Sequence, residues 1–470
     1  PFLACCCLLN CDSTLKSVTL RNMSSDDDVG SDEAEARAGL AEARRGLEIA
    51  AAEGDAGSQA ILGNLVLHGR GGPQDYAEAR RLFGLAAAQG DVEAQANLGS
   101  MHFHGQGGPQ DFAKARRLLA LAAVQGDASA QTNLGNMHLR AQGGPQEFAE
   151  ARRLYGLAAA QGHASAQANL GRMHCDGVGG PQDCAEARRL FRLAAAQGDA
   201  QAQAKLGTMH FHGQGGPRDF AEARRYFKLA AAQGHAQAQF NLGTMHRLGD
   251  GGLQDFVEAR RLYGLAAAQG HAVAQADLGT MHRLGDGGPQ DFAESRRLNG
   301  LAARQGHAMA QFTLGDMHAR GEGGPQDFAM ARRLLGLAAV QGNAMAQADL
   351  GTMNHKGEGE PPNYEEARRL YGLAAAQGDA DAQFSLGAMH LRGQGGPRCF
   401  AEARRLLALA AAQGHAQAQV SLDRLDRVAE EGRADICIEK ARLEKAAKDA
   451  NDADAMMAQL LAEDSEEKKA

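Results

Sequence analysis

The chain has 470 residues, of which 44% are hydrophobic, 23% are charged and only 5% are aromatic. This composition fits helices that pack through small side chains, and it argues against a large aromatic-lined pocket. The net charge is −8, but residues 1–40 contribute −4 (three bases, seven acids) and residues 426–470 contribute −5 (eight bases, thirteen acids), which leaves about +1 between them. That near-neutral middle lacks the clustered positive charge that phosphate binding requires, so we do not expect a nucleic-acid partner.

Residues 1–40 differ from the rest of the chain. They begin with a short apolar leader and continue as an acidic segment of the kind that stays disordered. Neither the leader nor any later stretch is long and apolar enough to cross a membrane. The eight cysteines do not recur in pairs as they would in a secreted disulfide-rich repeat protein. We therefore expect a reducing compartment and a cytoplasmic location.

A period of 36 residues organises the region that follows. It is marked by a glycine that follows glutamine or glutamate and precedes aspartate, histidine or asparagine. These glycines are Gly54, Gly90, Gly126, Gly162, Gly198, Gly234, Gly270, Gly306, Gly342, Gly378 and Gly414. Ten full repeats therefore span residues 55–414, with a half-repeat at 41–54 and another at 415–431. Residues 432–470 are expected to form amphipathic helices and a charged tail.

Each repeat predicts two antiparallel helices. If position 1 is the residue after each marker glycine, helix A covers about positions 1–14, a G-x-G-G-P turn follows, and helix B runs from position 21 to the glycine at position 36. Asp75 and Glu78 have the spacing of a capping box at the start of helix B. Helix A is expected to bury positions 4, 8, 11 and 12, and helix B positions 22, 25, 28, 29 and 32. Because neither helix can bury its apolar face alone, stacked repeats must supply the core, and the fold class is an all-α solenoid of helix-turn-helix repeats.

The repeat pattern A-x-A-x-x-x-L-G-x-x-H-x-x-G-x-G-G-x-x-D-x-x-x-A-x-x-L-x-x-x-A-A-x-Q-G resembles the Sel-one-like repeat, a relative of the tetratricopeptide repeat, over residues 41–431. The resemblance implies a right-handed superhelix that serves as a scaffold or adaptor for other proteins, with no shared catalytic residues and no cofactor. This chain departs from the family pattern at position 12, where histidine replaces tyrosine. It also has leucine rather than tryptophan at position 28, and leucine rather than lysine at position 31.

The row of histidines at position 12 is the feature that most suggests a metal site. Its members are His102, His138, His174, His210, His246, His282, His318 and His390. Ligands on one helix need a spacing of three or four, whereas His102 and His104 are two apart, and stacked helices lie about 8–10 Å apart, too far for neighbouring row members to share one ion. We expect packed histidines that hydrogen-bond glutamines such as Gln239, and no metal.

Two further features of helix B are repeated. Every repeat carries an Arg-Arg pair, from Arg80 and Arg81 to Arg404 and Arg405. We expect both arginines to pair with the acids of positions 21 and 24; the alternative is a basic ladder that faces an acidic partner. Leucines at position 31, such as Leu265, are expected to be buried against the next repeat. The alternative is an exposed leucine rib used for self-association.

An enzyme is the least favoured interpretation. The G-x-G-G turn follows a helix and lacks both the preceding strand of a dinucleotide fingerprint and the Gly-Lys-Ser/Thr of a P-loop. Serine, histidine and acids all occur, but no nucleophile stands in an activating context such as G-x-S-x-G. We keep a hydrolase only as a third alternative to a scaffold and to a self-assembling solenoid.

The candidate binding site comes from the positions at which the repeats differ. In helix A these are positions 3, 7, 10 and 14, whose spacing places them on one stripe. In stacked helix pairs this row lines the concave surface, so we expect it to bind peptide segments of partner proteins; the alternative is a solvated stripe that has drifted. The candidate residues are Arg172, Asp176, Lys205, Thr208, His212, Asn241, Thr244, Leu248, Asp277, Thr280, Leu284, Thr313, Asp316 and Arg320.

Overall fold

The computed structural model describes residues 42–427, together with residues 440–442, 445 and 448. The described residues are helical throughout, apart from short turns, and contain no strand. The helices, labelled α1 to α22 in chain order, are 42–52, Ala56–His68, Tyr76–Ala88, Val92–His104, Phe112–Val124, Ala128–Leu139, Phe148–Ala160, Ala164–Asp176, Cys184–Ala196, Ala200–His212, Phe220–Ala232, Ala236–Leu248, Phe256–Ala268, Ala272–Leu284, Phe292–Arg304, Ala308–Arg320, Phe328–Val340, Ala344–Lys356, Tyr364–Ala376, Ala380–Arg392, Phe400–Ala412 and 416–427.

The chain divides into two compact units, residues 1–238 and residues 239–470. Within each unit every helix packs against the helix before it and the helix after it, and the closest pairs are helix A and helix B of one repeat. This is the architecture of an all-helical solenoid, as the sequence predicts. In the half-repeats, residues 42–52 form a helix that corresponds to helix B, and residues 416–427 form a helix that corresponds to helix A.

Both helix starts carry side-chain caps. In repeat 5 the carboxylate of Asp199 accepts the backbone N–H of Ala202 at the start of helix A, and Asp219 accepts that of Glu222 at the start of helix B. The capping box is nevertheless only half formed, because the backbone N–H of Asp219 already donates to the carbonyl of His210 at 2.9 Å. Glu222 turns away to pair with Arg225 instead. A cap satisfies a donor that the first helical turn would leave without a partner.

The core lies between the helices and consists mainly of alanine, leucine and methionine. In helix B of repeat 5 the side chains of Ala223, Phe227 and Ala230 are buried, whereas Phe220 and Tyr226 are only half-buried. At helix A positions 4, 8 and 11, alanine, leucine and methionine are buried in nearly every repeat, as predicted. Each helix contributes one stripe, so the free energy of burial depends on the stacking of neighbours.

Glycine at position 9 lets helix A approach helix B closely. A Cβ added to Gly207 would lie 2.7 Å from the ring of Phe227, and one added to Gly243 would lie 2.8 Å from the ring of Tyr263. The side chain at position 29, which is aromatic in six repeats and leucine or asparagine in the other four, therefore occupies the space that a side chain at position 9 would take. This explains why position 9 is glycine in all ten repeats.

Several predictions concern residues outside the described part of the chain. They are the leader and acidic segment at 1–40, the end of the half-repeat beyond residue 427, and most of the helices and tail of 432–470. A search of the described residues for a helix with the length and hydropathy of a membrane span finds none.

Candidate functional site

The histidines of position 12 accept hydrogen bonds from arginines of the preceding repeat. Arg188 Nη2 lies 2.7 Å from Nδ1 of His210, and Arg260 Nη2 lies 2.7 Å from Nδ1 of His282. The same guanidinium donates to a carbonyl of the following turn, such as that of Pro289. The prediction of glutamine partners is therefore wrong. A guanidinium can only donate, so His210 and His282 accept at Nδ1 and are neutral.

The repeats without histidine at position 12 show the role of the arginine–histidine hydrogen bond. In repeat 9, Asn354 replaces the histidine and accepts from Arg332 Nη2 at 2.6 Å. In repeat 1, Val66 stands at position 12, and the buried Nη1 of Arg44 has no hydrogen-bond partner among the described residues. Position 12 therefore requires an acceptor for the arginine, and histidine provides one that also fills space.

A second ladder joins the repeats through glutamine. Gln233 Nε2 donates to Gln203 Oε1 at 2.8 Å, and Gln203 Nε2 donates to the carbonyl of Ala195, in the preceding repeat, at 3.2 Å. Gln275 makes the same two contacts, with Gln305 and the carbonyl of Ala267. These glutamines are almost fully buried. The sequence prediction missed this ladder, although its signal is present: glutamine occupies positions 5 and 35 of every repeat.

The two arginines of each pair have different roles. The second bonds the glutamate three residues earlier, as Arg153 does with Glu150 at 2.6 Å, and this part of the prediction is confirmed. The first serves the histidine row and reaches an acid in only a few repeats, such as Arg116 with Glu147. The basic ladder is thus largely neutralised. Exposed ion pairs of this kind add little to stability, because water screens them.

The leucines of position 31 are exposed. Leu265 is 41% exposed and Leu121 is 54% exposed, so the prediction of their burial is wrong. Leu301 is half-buried. The leucine rib, as we call the position 31 leucines, therefore presents apolar surface along helix B.

The predicted stripe lies on one face of helix A, but its members differ in exposure. The exposed members are Asp176, Lys205, His212, Leu248, Thr280, Leu284 and Arg320. The half-buried members are Arg172, Thr208, Asn241, Thr244 and Asp277. The buried members are Thr313 and Asp316. The stripe thus combines side chains that face solvent with others that contact the neighbouring repeat.

Some stripe residues are bound by their neighbours. Asp316 accepts from Arg283 of the preceding repeat at 2.7 Å and from Arg320, four residues later, at 2.6 Å. Arg283 also pairs with Glu322 at 2.7 Å. The position 13 residue Arg283 was not predicted, because it lies outside the variable positions of the stripe. This network makes Asp316 a structural residue of repeat 8.

Two other carboxylates at stripe positions, those of Asp277 and Asp349, are largely shielded from water, which disfavours their ionised form. Burial raises the pKa of Asp277 above its ordinary value, although Arg247, His307 and His271 act in the opposite direction. Burial, reinforced by the charge of Asp316, raises the pKa of Asp349 to about 6, although Arg320 opposes the shift. Carboxylates with little water around them are stabilised by an added cation or hydrogen-bond donor.

Ten consecutive segments of the chain match the family model described as the Sel1 repeat, at residues 56–91, 92–127, 128–163, 164–199, 200–235, 236–271, 272–307, 308–343, 344–379 and 380–415. The chain belongs to the Sel1 repeat family. Sel1 repeat proteins generally act as scaffolds for protein interactions, and their fold is typically non-catalytic. No curated protein matches the chain.

Two solved Sel1 repeat structures are similar to it. One is c5321 of uropathogenic Escherichia coli, a protective antigen with an SLR (Sel-one-like repeat) fold. It is 32% identical with a TM-score of 0.76, and the match covers 81% of this chain and 82% of that one. The other is a Sel1 repeat protein from Oxalobacter formigenes, at 32% identity and a TM-score of 0.52, covering 66% of this chain and 89% of that one. Both likenesses extend over most of the repeats.

Proposed function

We propose that the protein is a non-catalytic scaffold that binds polypeptide segments of partner proteins along the helix A stripe. The observation that carries this proposal is the contrast between fixed and variable positions. The arginine, histidine and glutamine that join the repeats hardly change, whereas the exposed residues of the stripe change from repeat to repeat, as Lys205 and Leu284 show. A constant frame with a variable surface is suited to recognition.

The chemistry of the stripe indicates what a partner must offer. Leu248 and Leu284 occupy the same position in repeats 6 and 7 and are 54% and 64% exposed. They offer apolar contact, while Lys205 and Asp277 supply charges of opposite sign. A segment that crosses several repeats would gain affinity from many modest contacts, and the few apolar anchors would contribute most.

A triple variant tests the stripe. Lys205→Glu, Leu248→Ser and Leu284→Ser change exposed side chains, so the variant is expected to keep its helicity by circular dichroism. Partners are first identified by affinity purification and mass spectrometry, and binding of a purified partner is then measured by calorimetry. We expect the variant to lose binding by tenfold or more, which is about 1.4 kcal/mol.

The matched control changes the leucine rib. Leu265→Ser and Leu337→Ser remove side chains that are 41% and 47% exposed but lie on helix B. This control is expected to bind the partner as the parent protein does. If the control loses binding and the stripe variant keeps it, the stripe is not the binding surface.

The exposed leucine rib favours a second candidate, self-assembly. Rows of half-exposed leucines bury more apolar area when two copies meet. Light scattering over a concentration series would show a rising mass, and the Leu265→Ser/Leu337→Ser variant would remove the rise. A protein that stays monomeric at the highest concentration contradicts this candidate.

The non-catalytic part of the proposal has its own test. The purified protein is incubated with generic ester, amide, phosphate and glycoside substrates, and product formation is measured. We expect rates equal to those of the buffer alone. Turnover that follows the protein through purification would contradict the proposal.

A further inference from the structure

Repeat 4 places two cysteines opposite each other across the turn between its helices. Cys175 stands at position 13, one residue before the end of α8, and Cys184 is the first residue of α9. The corresponding residues of repeats 2 and 5 are phenylalanine pairs. The ring centroids lie 5.3 Å apart for Phe103 and Phe112. Side chains at these two positions therefore face each other.

A backbone hydrogen bond joins the residues that immediately precede the two cysteines. The N–H of Asp183 donates to the carbonyl of His174 at 2.9 Å. Gln182 Nε2 donates to the carbonyl of Cys175 at 2.6 Å. The two residues that precede α9 are thus bonded to the end of α8, and the two Cα atoms cannot move apart without straining these bonds.

The thiols are close together and open to small reagents. Both cysteines are half-buried and pack against the same core cluster, which contains Phe191 and Met209. Cys184 is near enough to Cys175 to contribute, after burial and the charge of Asp176, to raising the pKa of Cys175. Two cysteines whose side chains face each other across a bonded turn are placed for disulfide formation.

We propose that Cys175 and Cys184 are a reversible redox pair, whose disulfide ties the end of α8 to the start of α9. With a peroxide as the oxidant, one thiolate attacks a peroxide oxygen, the O–O bond breaks, and water and a sulfenic acid are formed. The second thiol attacks the sulfenic sulfur, the S–S bond forms, and a second water leaves. Two thiol hydrogens are lost and one peroxide is reduced to two waters. A thiol reductant reverses the reaction.

The disulfide would close the turn of 177–183, which contains Gly177 and Gly179. The residue that follows Cys175 is Asp176, a member of the helix A stripe. Oxidation would therefore hold the end of the stripe in repeat 4 in one position. The inference stands on the geometry of the pair and does not depend on the proposed partner binding.

The environment of Cys175 also influences the rate at which its thiol is oxidised. Burial, the charge of Asp176 and the neighbouring thiol raise the pKa of Cys175, and only Lys205 acts against them. The thiolate fraction at neutral pH is small, and the thiolate is the form that reacts. We expect oxidation to be slow at pH 7 and severalfold faster at pH 9.

The experiment uses the full chain, treated with hydrogen peroxide and then alkylated and digested. Trypsin releases both cysteines in the one peptide 173–188, which should lose the mass of two hydrogens. Digestion with trypsin and Asp-N together places the cysteines in separate peptides, 173–175 and 183–188. These two peptides should be recovered joined to each other, and dithiothreitol should separate them.

Two variants complete the test. Cys184→Phe restores the residue that most repeats carry at position 22, so it should fold normally and show no mass loss in peptide 173–188. Cys399→Ser changes another half-buried cysteine and should leave the linked peptides unchanged. The proposal is overturned if both thiols of repeat 4 remain alkylated after the other cysteines have been oxidised, or if either is linked mainly to a cysteine elsewhere.

Discussion

Arg188 of repeat 4 donates from Nη2 to Nδ1 of His210 in repeat 5, at 2.7 Å, and both side chains are buried. Burial and the adjacent guanidinium lower the pKa of His210 below its ordinary value. The pair therefore joins two repeats through a hydrogen bond that exists only while the imidazole is neutral. Three predictions concern this pair and the polar groups that resemble it.

The first prediction is that His210→Ala destabilises the protein. The change removes the acceptor and leaves a buried guanidinium with fewer partners, at a cost of about 1–3 kcal/mol. The matched control is His212→Ala, because His212 lies on the same helix but is exposed, and its loss should change the free energy of unfolding by less than about 0.5 kcal/mol. Urea unfolding of both variants measures the difference. Equal effects would show that the buried bond contributes nothing.

The second prediction is that stability falls below pH 6.5. The pKa values of His174, His210 and His282 are all lowered in the folded protein by burial and by the arginine. Between the lowered pKa and the ordinary value of about 6.5, the unfolded chain binds more protons than the folded one, so stability rises with pH in that window and decreases as the pH falls through it. The Tm measured from pH 8 to pH 5 should show this decline.

A variant in which asparagine replaces these three histidines provides the control for the pH experiment. Repeat 9 has asparagine at the equivalent position, where Asn354 accepts a hydrogen bond from Arg332. This variant keeps an acceptor that cannot take up a proton. Its Tm should therefore fall less between pH 7 and pH 5 than that of the parent protein. Parallel pH curves would mean that other groups cause the decline.

The third prediction concerns the glutamine ladder. Gln203→Ala leaves the amide of Gln233 and the carbonyl of Ala195 without their partner, and should cost about 2 kcal/mol of unfolding free energy. Gln201→Ala, an exposed change on the same helix, should be nearly neutral. Hydrogen exchange of the Gln203 region should become faster in the first variant only. If both variants exchange alike, the ladder does not hold the repeats together.

The fourth prediction is that Asp349→Asn stabilises the protein at pH 7. Burial and Asp316 raise the pKa of Asp349 to about 6, so the ionised form is disfavoured in the folded state. The folded state binds this proton more tightly than the unfolded chain, so stability is lost as the pH rises from about 4 to about 6 and stays lost above it. The amide removes this penalty, which we set at about 1–2 kcal/mol after allowing for solvent screening. The gain should vanish at pH 3.5, and a gain that persists there would exclude this cause.

The fifth prediction compares two glycines of repeat 3. A Cβ at position 135 would lie 2.8 Å from the ring of Tyr155, so Gly135→Ala should destabilise by about 1–3 kcal/mol. A Cβ at position 156 would meet nothing within 4 Å, so Gly156→Ala should stabilise the helix by up to about 1 kcal/mol. Thermal unfolding should therefore move in opposite directions for the two variants. The same sign for both would contradict the close packing at position 9.

The fold could be predicted because the period is regular and its signals are local. Glycine after an alanine-rich turn ends each helix B, and aspartate precedes helix B in seven of the ten repeats, so Phe220–Ala232 agrees with the predicted bounds to within two residues. The buried positions follow the helical period. These features depend on residues that are close in sequence.

The contacts between repeats could not be predicted in the same way. Arg188 and His210 are 22 residues apart in successive repeats, so their meeting depends on how far one helix pair is displaced along the next. Gln203 and Gln233 are 30 residues apart in one repeat, so their meeting depends on how its two helices pack. Residue type does not reveal that displacement. The stripe was found from its variation, but the burial of Asp316 depends on Arg283, which belongs to another repeat. The pairing of Cys175 with Cys184 likewise depends on how the turn places the end of one helix against the start of the next.

The glutamine ladder also limits how such a chain can change in length. Gln203 binds the carbonyl of Ala195, and Gln167, one repeat earlier in the same compact unit, binds the carbonyl of Ala159. Removing or adding 36 residues anywhere in register would present each donor with an identical acceptor. A change inside a helix that is not a whole multiple of 36 residues would move these buried amides away from their acceptors. Gain or loss of whole repeats is therefore the route by which this architecture can extend or shorten a binding surface without losing its internal hydrogen bonds.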